Sequence, residues 1–226
     1  TTMTPQHSFI LPVLNEAGRL TPLLARLRTA FPCAECIVVD GGSTDATVPE
    51  ALTAADLVLL GERGRAAQMN LGAAAARGEW LWFLHADTEP LFDAAGLEAA
   101  LAVGRPWGFC RVQLSGRARA LRLIERAMNA RSRVTAIGTG DQLLYLRRSL
   151  FETEGGFAPI PLMEDVELCT RLRRRSRPGG AGLTVRTSSR RWEDKGILRT
   201  VWLMWTLRLR YALGAPPERL WARYYG

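Results

Sequence analysis

Histidine, cysteine and uninterrupted apolar sequence are all scarce in this chain. Two histidines and four cysteines among 226 residues leave little from which to build a zinc centre. Cys33 and Cys36 form one CxxC in FPCAECIVVD. There is no second pair and no histidine cluster, and Cys36 opens an apolar run, so it reads as a small core residue. Nothing here demands a disulfide-forming compartment. No GxGxxG follows the first apolar run, which reads PVLNEAGRL, and GxxxxGK[ST] is missing throughout. These absences exclude a dinucleotide fingerprint and a P-loop. A membrane span needs ~20 apolar residues. The best candidate, ILRTVWLMWTLRLRYALG (197–214), is interrupted by Arg199, Arg208 and Arg210. It reads as a helix with a Trp-rich face, which either packs on its own domain, the favoured reading, or lies in a membrane interface. No targeting segment, internal repeat or low-complexity linker is visible.

What is present is apolar and basic. A 47% hydrophobic content suffices for a substantial core, and the net charge of +8 (pI about 10.1) suits anionic partners. The positive charge is concentrated in RLRRRSR (171–177) and RTSSRR (186–191), each either a binding surface or a solvated face.

Short apolar runs alternate with longer periodic ones. SFILPVL (8–14), CIVVD (36–40), DLVLL (56–60), WLWFL (80–84) and a stretch near 107–114 read as strands. Between them, 16–30, a segment from about Asp45 capped by Ser43 or Thr44, 65–77 closed by Gly78, and about 92–103 read as helices. This alternation means an α/β domain with a mostly parallel sheet. Residues 117–133 read as a basic helix, 135–148 as a Gly-rich loop and strand, 163–172 as a helix, and 183–187 as a strand before the final helices.

Ligands of such sheets bind beyond the carboxyl ends of the strands. Asn15-Glu16, Asp40-Gly41-Gly42-Ser43 and His85-Ala86-Asp87 stand there. Asp40 either accepts hydrogen bonds from a base or ribose, or belongs to a strand-to-helix turn. Asp87 ends a buried strand, where a carboxylate is costly unless it meets water or a cation. It either holds Mg2+ or Mn2+ together with phosphate oxygens or caps the next helix. Glu164 and Asp165 either complement a helix dipole or supply a general base. Arg190, Arg191 and Trp192 suit phosphate clamping and stacking, or form a basic surface run. His85 is a metal or phosphate contact, or structural.

Together LPVLNEAGRL, VVDGGSTDAT (38–47), FLHADTEP, GGF with MEDVELCTRLRR, and RRWEDKG resemble the family 2 glycosyltransferases of GT-A fold. The likeness runs over nearly the whole chain. RGRAAQMNLGAAAARG, HADT, GTGDQ and PLMEDVEL are further similar to a bacterial subgroup associated with radical-SAM and selenium-domain proteins. The resemblance implies a Rossmann-like, mostly parallel central sheet flanked by helices, with a helical C-terminal extension. It implies one domain over 1–226: a nucleotide-sugar-binding half (about 1–115), an acceptor or catalytic half (about 116–195) and amphipathic helices (about 196–226).

The resemblance also implies roles. Asp40 would read the nucleotide base, most often uracil, with Glu16, Ala86 and the backbone near Pro12 lining the pocket and Arg63, Arg65 and Gln68 holding base or phosphates. Asp87 would ligate Mg2+ or Mn2+, with His85 as a further candidate because it replaces the first acid of the family's Asp-any-Asp motif. Asp165 would be the base, and Glu164, Gly140, Asp141, Gln142, Arg190, Arg191 and Trp192 would serve phosphates or acceptor. The expected reaction is inverting transfer from a nucleotide-diphosphate sugar, most often a UDP-sugar, to an acceptor hydroxyl that is lipid-linked or soluble. The expected location is cytoplasmic, with peripheral contact at the inner membrane face through the last helices. A sugar nucleotidyltransferase would need a Gly-rich, Arg/Lys-containing loop after the first strand. A nucleic-acid-binding domain leaves three carboxylate clusters unexplained, so nucleic acid is not an expected partner. A donor-binding relative that has lost activity is the remaining alternative.

Overall fold

The computed structural model describes residues 5–180, 182–194 and 196–225. Its first half winds β1 (His7–Val13), α1 (Leu20–Ala30), β2 (Glu35–Asp40), α2 (Thr47–Ala54), β3 (Leu57–Leu60), α3 (Arg65–Ala75) and β4 (Trp80–Phe83). There follow β5 (Thr88–Pro90), α4 (Ala94–Leu101), β6 (Trp107–Phe109), β7 (Arg111–Leu114), α5 (Arg119–Thr135), β8 (Leu144–Arg147), α6 (Arg148–Thr153), α7 (Glu164–Arg175), β9 (Thr184–Thr187), α8 (Arg190–Asp194), α9 (Ile197–Ala212) and α10 (Pro217–Tyr225). The main sheet runs β3-β2-β1-β4-β8-β6, and a smaller one runs β5-β9-β7. β1 to β4 are mutually parallel, and β8 enters antiparallel between β4 and β6.

A strand buried on both faces reads as a continuous apolar run, as β2 and β4 do. Successive side chains go to opposite faces. Phe9, Leu11, Val38 and Trp82 meet the leucines of α1, while Ile10, Ile37, Val39 and Phe83 meet α3 and α7. Leu20, Leu23, Leu24 and Leu27 are the buried side of α1, each contributing about 1.5–3 kcal/mol by leaving water. Trp82 stacks on Tyr145 of β8 with ring centroids 4.4 Å apart.

Three local expectations are corrected. The single strand near 107–114 is two strands in different sheets. Cys110 N–H donates to Gln142 O at 2.7 Å and Arg111 N–H to Leu183 O at 2.8 Å, so the chain changes partner at Cys110. Ser43 and Thr44 do not cap α2. Ser43 Oγ accepts from Asn15 N–H at 2.8 Å, and Thr44 N–H donates to Asn15 Oδ1 at 2.9 Å, lacing the loops after β1 and β2 together. Gly78 does not stop α3 through a left-handed turn. Ala76 ends that helix in extended conformation, and Gly78 is needed because a Cβ there would lie 2.7 Å from the backbone of His7 and Ser8.

Among the described residues no helix is long and apolar enough to cross a membrane. On α9, Leu207 is fully buried against Leu162, Met163 and Leu220, while Trp202 and Trp205 are 65% and 73% exposed. The helix therefore packs on its own domain and keeps an apolar outer face.

Gly78→Ala puts a methyl into β1 backbone that cannot move aside. The expected loss is about 1–3 kcal/mol, read as a lower midpoint of urea unfolding.

Candidate active site

Asp40 closes β2 at the sheet's carboxyl edge and is 2% exposed. Its Oδ2 accepts N–H bonds from Gly42 and Ser43, both 2.9 Å. Gly42, at φ 95°, makes that turn at no Cβ cost. Asp40 Oδ1 is buried and has no hydrogen-bond partner. A buried acceptor left unpaired is costly.

The neighbouring positions divide. Pro12 is buried in β1 opposite Val39. Glu16 N–H donates to Thr47 Oγ1 at 2.8 Å, and its carboxylate meets Arg19 at 2.8 Å. Arg63 is exposed. Gln68, expected at the base or phosphates, is instead a brace. Its Nε2 donates to Val13 O at 2.9 Å and Val39 O at 2.8 Å, tying the ends of β1 and β2. Both amide hydrogens are thus spent on backbone. Arg65 pairs with Glu164, Nε to Oε1 2.9 Å, and its charge is felt by His85 and Asp141.

Beyond β4, Ala86 is buried and Asp87 is exposed. Asp87 does not cap the next helix, since Asp93 does so by accepting Gly96 N–H at 3.0 Å. Asp87 O accepts Ser188 N–H at 3.0 Å, and Thr88 Oγ donates to its Oδ1 at 3.3 Å, so its carboxylate is held lightly. The His85 ring lies against Gly140, where a Cβ would be 2.2 Å from His85 Cε1. Its Nδ1 is 4.0 Å from Asp141 Oδ1. Burial first, then Arg65, holds the imidazole below its usual value against the opposing pull of Asp141, Asp87 and Asp165. His85 is therefore neutral at pH 7, with a nitrogen lone pair available. Lost hydration raises the Asp141 carboxyl. His85 and Arg65 counter that rise, and Asp87 and Asp165 add to it.

Asp165 sits in the first turn of α7. Its Oδ2 accepts Gly140 N–H at 2.7 Å and its Oδ1 accepts Val166 N–H at 2.7 Å, which fixes the carboxylate against the turn that packs on His85. Glu164 is 2% exposed, and its Oε2 has no partner. Burial raises it to about 7, with Arg65 opposing. Gln142, expected at phosphate or acceptor, is 1% exposed and holds the turn Gly140–Gln142 (a single 3-10 turn) together. Its Oε1 accepts from Ser132 Oγ at 2.7 Å and Thr139 N–H at 3.2 Å, and its Nε2 donates to Cys110 O at 3.2 Å. It faces the core rather than the crevice. Arg190 is exposed at the start of α8. The side chains of Arg191 and Trp192 lie outside the described residues.

Two arginines missed by the sequence reading join this group. Burial pushes Arg131 of α5 down to about 10, with Arg208 adding to the shift and Asp165 and Asp141 opposing it. Burial also lowers Arg208 of α9, against Asp165 and Asp141. In the sequence Arg208 reads as a charge breaking an apolar run and as part of an Arg-studded tail suited to a lipid-linked acceptor, not as a neighbour of Asp165. Its neighbour Leu207 lies in phase with Thr200, Leu203 and Tyr211, the inward stripe of α9, which was the available signal.

Among the described residues no three His, Cys, Asp or Glu side chains are grouped to hold an ion by themselves. The described residues thus offer no closed cage. Mg2+ commonly uses one or two carboxylates, with phosphates and water completing its shell. Asp87, open and adjacent to neutral His85, fits that mode. The Asp87, Asp141 and Asp165 charges that press on one another are also of the sign a cation relieves. The CxxC does not contribute: Cys36 is buried, and desolvation raises its thiol to about 12.

Residues 8–102 match the model of Glycosyl transferase family 2. No curated protein matches the chain. Among solved structures, the chain is similar to Staphylococcus aureus TarS 1–349, at 19% identity and TM-score 0.59, over 81% of this chain and 60% of that one. It is also similar to the mannosyltransferase PcManGT from Pyrobaculum calidifontis in complex with GDP-Man and Mn2+. There the identity is 24% and the TM-score 0.58, over 78% of this chain and 54% of that one. The chain therefore spans somewhat over half the length of these structures. The likeness shows the fold, which is that of the GT-A glycosyltransferases.

Glu164 supplies a pH signature. Its folded value of about 7 exceeds the ordinary 4.5, so between these values the folded state binds the extra proton and stability falls as pH rises. The fall in urea midpoint from about pH 5 to about pH 7.5 is expected to be smaller in Glu164→Gln than in the wild type.

Proposed function

We propose that this protein is a metal-assisted, inverting glycosyltransferase that moves a sugar from a nucleotide-diphosphate donor, most often a UDP-sugar, to an acceptor hydroxyl. The observation that carries this reading is one of placement: Asp40 ends β2 and Asp87 follows β4 at the same carboxyl edge of the parallel sheet, and Asp165 is bonded to Gly140, which packs on His85 beside Asp87. The match of residues 8–102 to the family supports it. So do similar structures holding nucleotide sugars, TarS 1–349 with UDP-GlcNAc (18% identity) and PcManGT with GDP-Man.

In this reading the nucleoside sits over Asp40, whose free Oδ1 accepts from the base. Asp165, oriented by Gly140 N–H, takes the proton of the acceptor hydroxyl. The acceptor oxygen bonds to the anomeric carbon as the bond to the donor phosphate oxygen breaks on the opposite face. The electron pair of that bond leaves with the nucleoside diphosphate. Arg190 and Arg191 offset the leaving charge electrostatically. Glu164 keeps Arg65 in place at the rim. Mg2+ or Mn2+, held at Asp87 with His85 beside it, would supply Lewis-acid stabilisation of the departing diphosphate.

We place the protein in the cytoplasm, peripheral at the inner membrane face, acting on a lipid-linked acceptor. The exposed Trp202, Trp205 and Leu209 support this, since they share α9 with Arg208, which reaches the charges of Asp165 and Asp141.

Calorimetric titration with UDP is expected to show Mn2+-dependent binding that Asp87→Ala abolishes. Failure of all nucleoside diphosphates to bind at millimolar concentration would sink the donor assignment. Asp165→Asn is expected to lower turnover by ~10²–10⁴ while donor affinity stays within a few-fold. Wild-type turnover in that variant would remove Asp165 from the role of base.

A further inference from the structure

A second concavity lies away from the Asp40–Asp87 crevice. It is framed by the carboxyl ends of α5 and α7 and by the step from β6 to β7, and its volume is about 750 Å³. That is the size of a small-molecule site, which runs roughly 300–1,000 Å³. Five arginines line it: Arg111, Arg133, Arg173, Arg174 and Arg177. No aspartate or glutamate does.

Among the described residues, none of these five forms an ion pair, whereas Arg171 and Arg175 of the same helix are paired with Glu154 and Glu167. Arg173 donates to Thr135 O at 3.0 Å, which covers one orphan carbonyl of α5. The dipoles of the two helix ends amount to about half a charge each, too little to balance five guanidiniums. Each planar guanidinium can instead grip phosphate oxygens in bidentate fashion. The floor is apolar and closed, with Phe109 8% and Cys110 1% exposed. A single-stranded nucleic acid would need exposed aromatic rings for stacking, and among the described residues the aromatic lining is Phe109 alone, which is buried.

We propose that this cavity binds a small molecule or headgroup bearing two or more phosphate groups, at a site separate from the donor crevice. The ligand takes its charge from Arg133, Arg174 and Arg177 and rests on Phe109. Gln142 links the two sites. It lines the cavity and also holds the turn whose Gly140 N–H directs Asp165.

The test uses inorganic tripolyphosphate, titrated calorimetrically in metal-free buffer so that metal-dependent donor binding is silent. The wild type is expected to bind one equivalent. Arg133→Gln/Arg177→Gln, two exposed side chains, is expected to bind at least tenfold more weakly with an unchanged melting temperature. Arg26→Gln/Arg186→Gln, which removes two exposed arginines elsewhere, is expected to leave affinity unaltered. Equal weakening in both variants would mean general charge attraction and would overturn the site, as would no binding at millimolar concentration. Cosedimentation with cardiolipin vesicles, whose headgroup bears two phosphates, separates the sources. Loss in Arg133→Gln/Arg177→Gln assigns a lipid headgroup, and tripolyphosphate binding without vesicle binding assigns a soluble ligand. UDP titrated separately with Mn2+ reads the donor crevice, so failure of either site is visible without the other.

Discussion

Parallel pairing of β1 with both β2 and β4 is the constraint on which the site depends. In-register parallel strands end on the same edge, so the last residues of β2 and the first residues beyond β4 face one crevice. The pairing is held by two packed faces, with α1 on one side and α3 and α7 on the other. It is tightened at its tip by Gln68, which bonds the carbonyls of Val13 and Val39. A carboxylate in such a place loses water, and Asp40 shows the compromise: one oxygen is satisfied by two backbone N–H groups and the other is buried without a protein partner.

The second half of the chain brings its own acids to that edge through one short turn. Gly140 has room for the His85 ring only because it lacks a Cβ, and its N–H fixes Asp165. Crowding of Asp87, Asp141 and Asp165 against His85, Arg65, Arg131 and Arg208 makes the crevice a place where added charge of either sign is felt. The arginine-lined cavity is joined to this centre by α7, which begins at Glu164-Asp165 and ends in the arginines of the cavity wall.

Several parts were legible in the residues themselves. Continuous β-branched and aromatic runs marked β2 and β4, because a strand covered on both faces has no polar alternation. Leucine spacing marked α1. VVDGGSTDAT and MEDVEL carried enough local pattern to mark Asp40 and Asp165 as residues at element ends. Less legible were positions whose role depends on a distant partner. Gln68 and Gln142 look like ligand contacts in one dimension, yet Gln68 donates to two backbone carbonyls, and Gln142 donates to Cys110 O while accepting from Ser132 Oγ and Thr139 N–H. Gly78 looks like a helix stop, yet it makes room for β1.

The sequence by itself determined the order of strands and helices from β1 to β4 and the carboxylates that follow β2 and β4, because periodicity and end-capping chemistry act over a few residues. Only the tertiary structure decided which of those side chains meet. Arg131 and Arg208 are 77 positions apart, and nothing in either neighbourhood announces that α5 and α9 converge on Asp165. Long-range packing chooses such neighbours, since burying the inward stripe of α9 turns Arg208 toward the crevice whatever its local sequence prefers. In the same way, the cavity of arginines exists only because two helix ends and a strand crossing from one sheet to the other come to lie side by side.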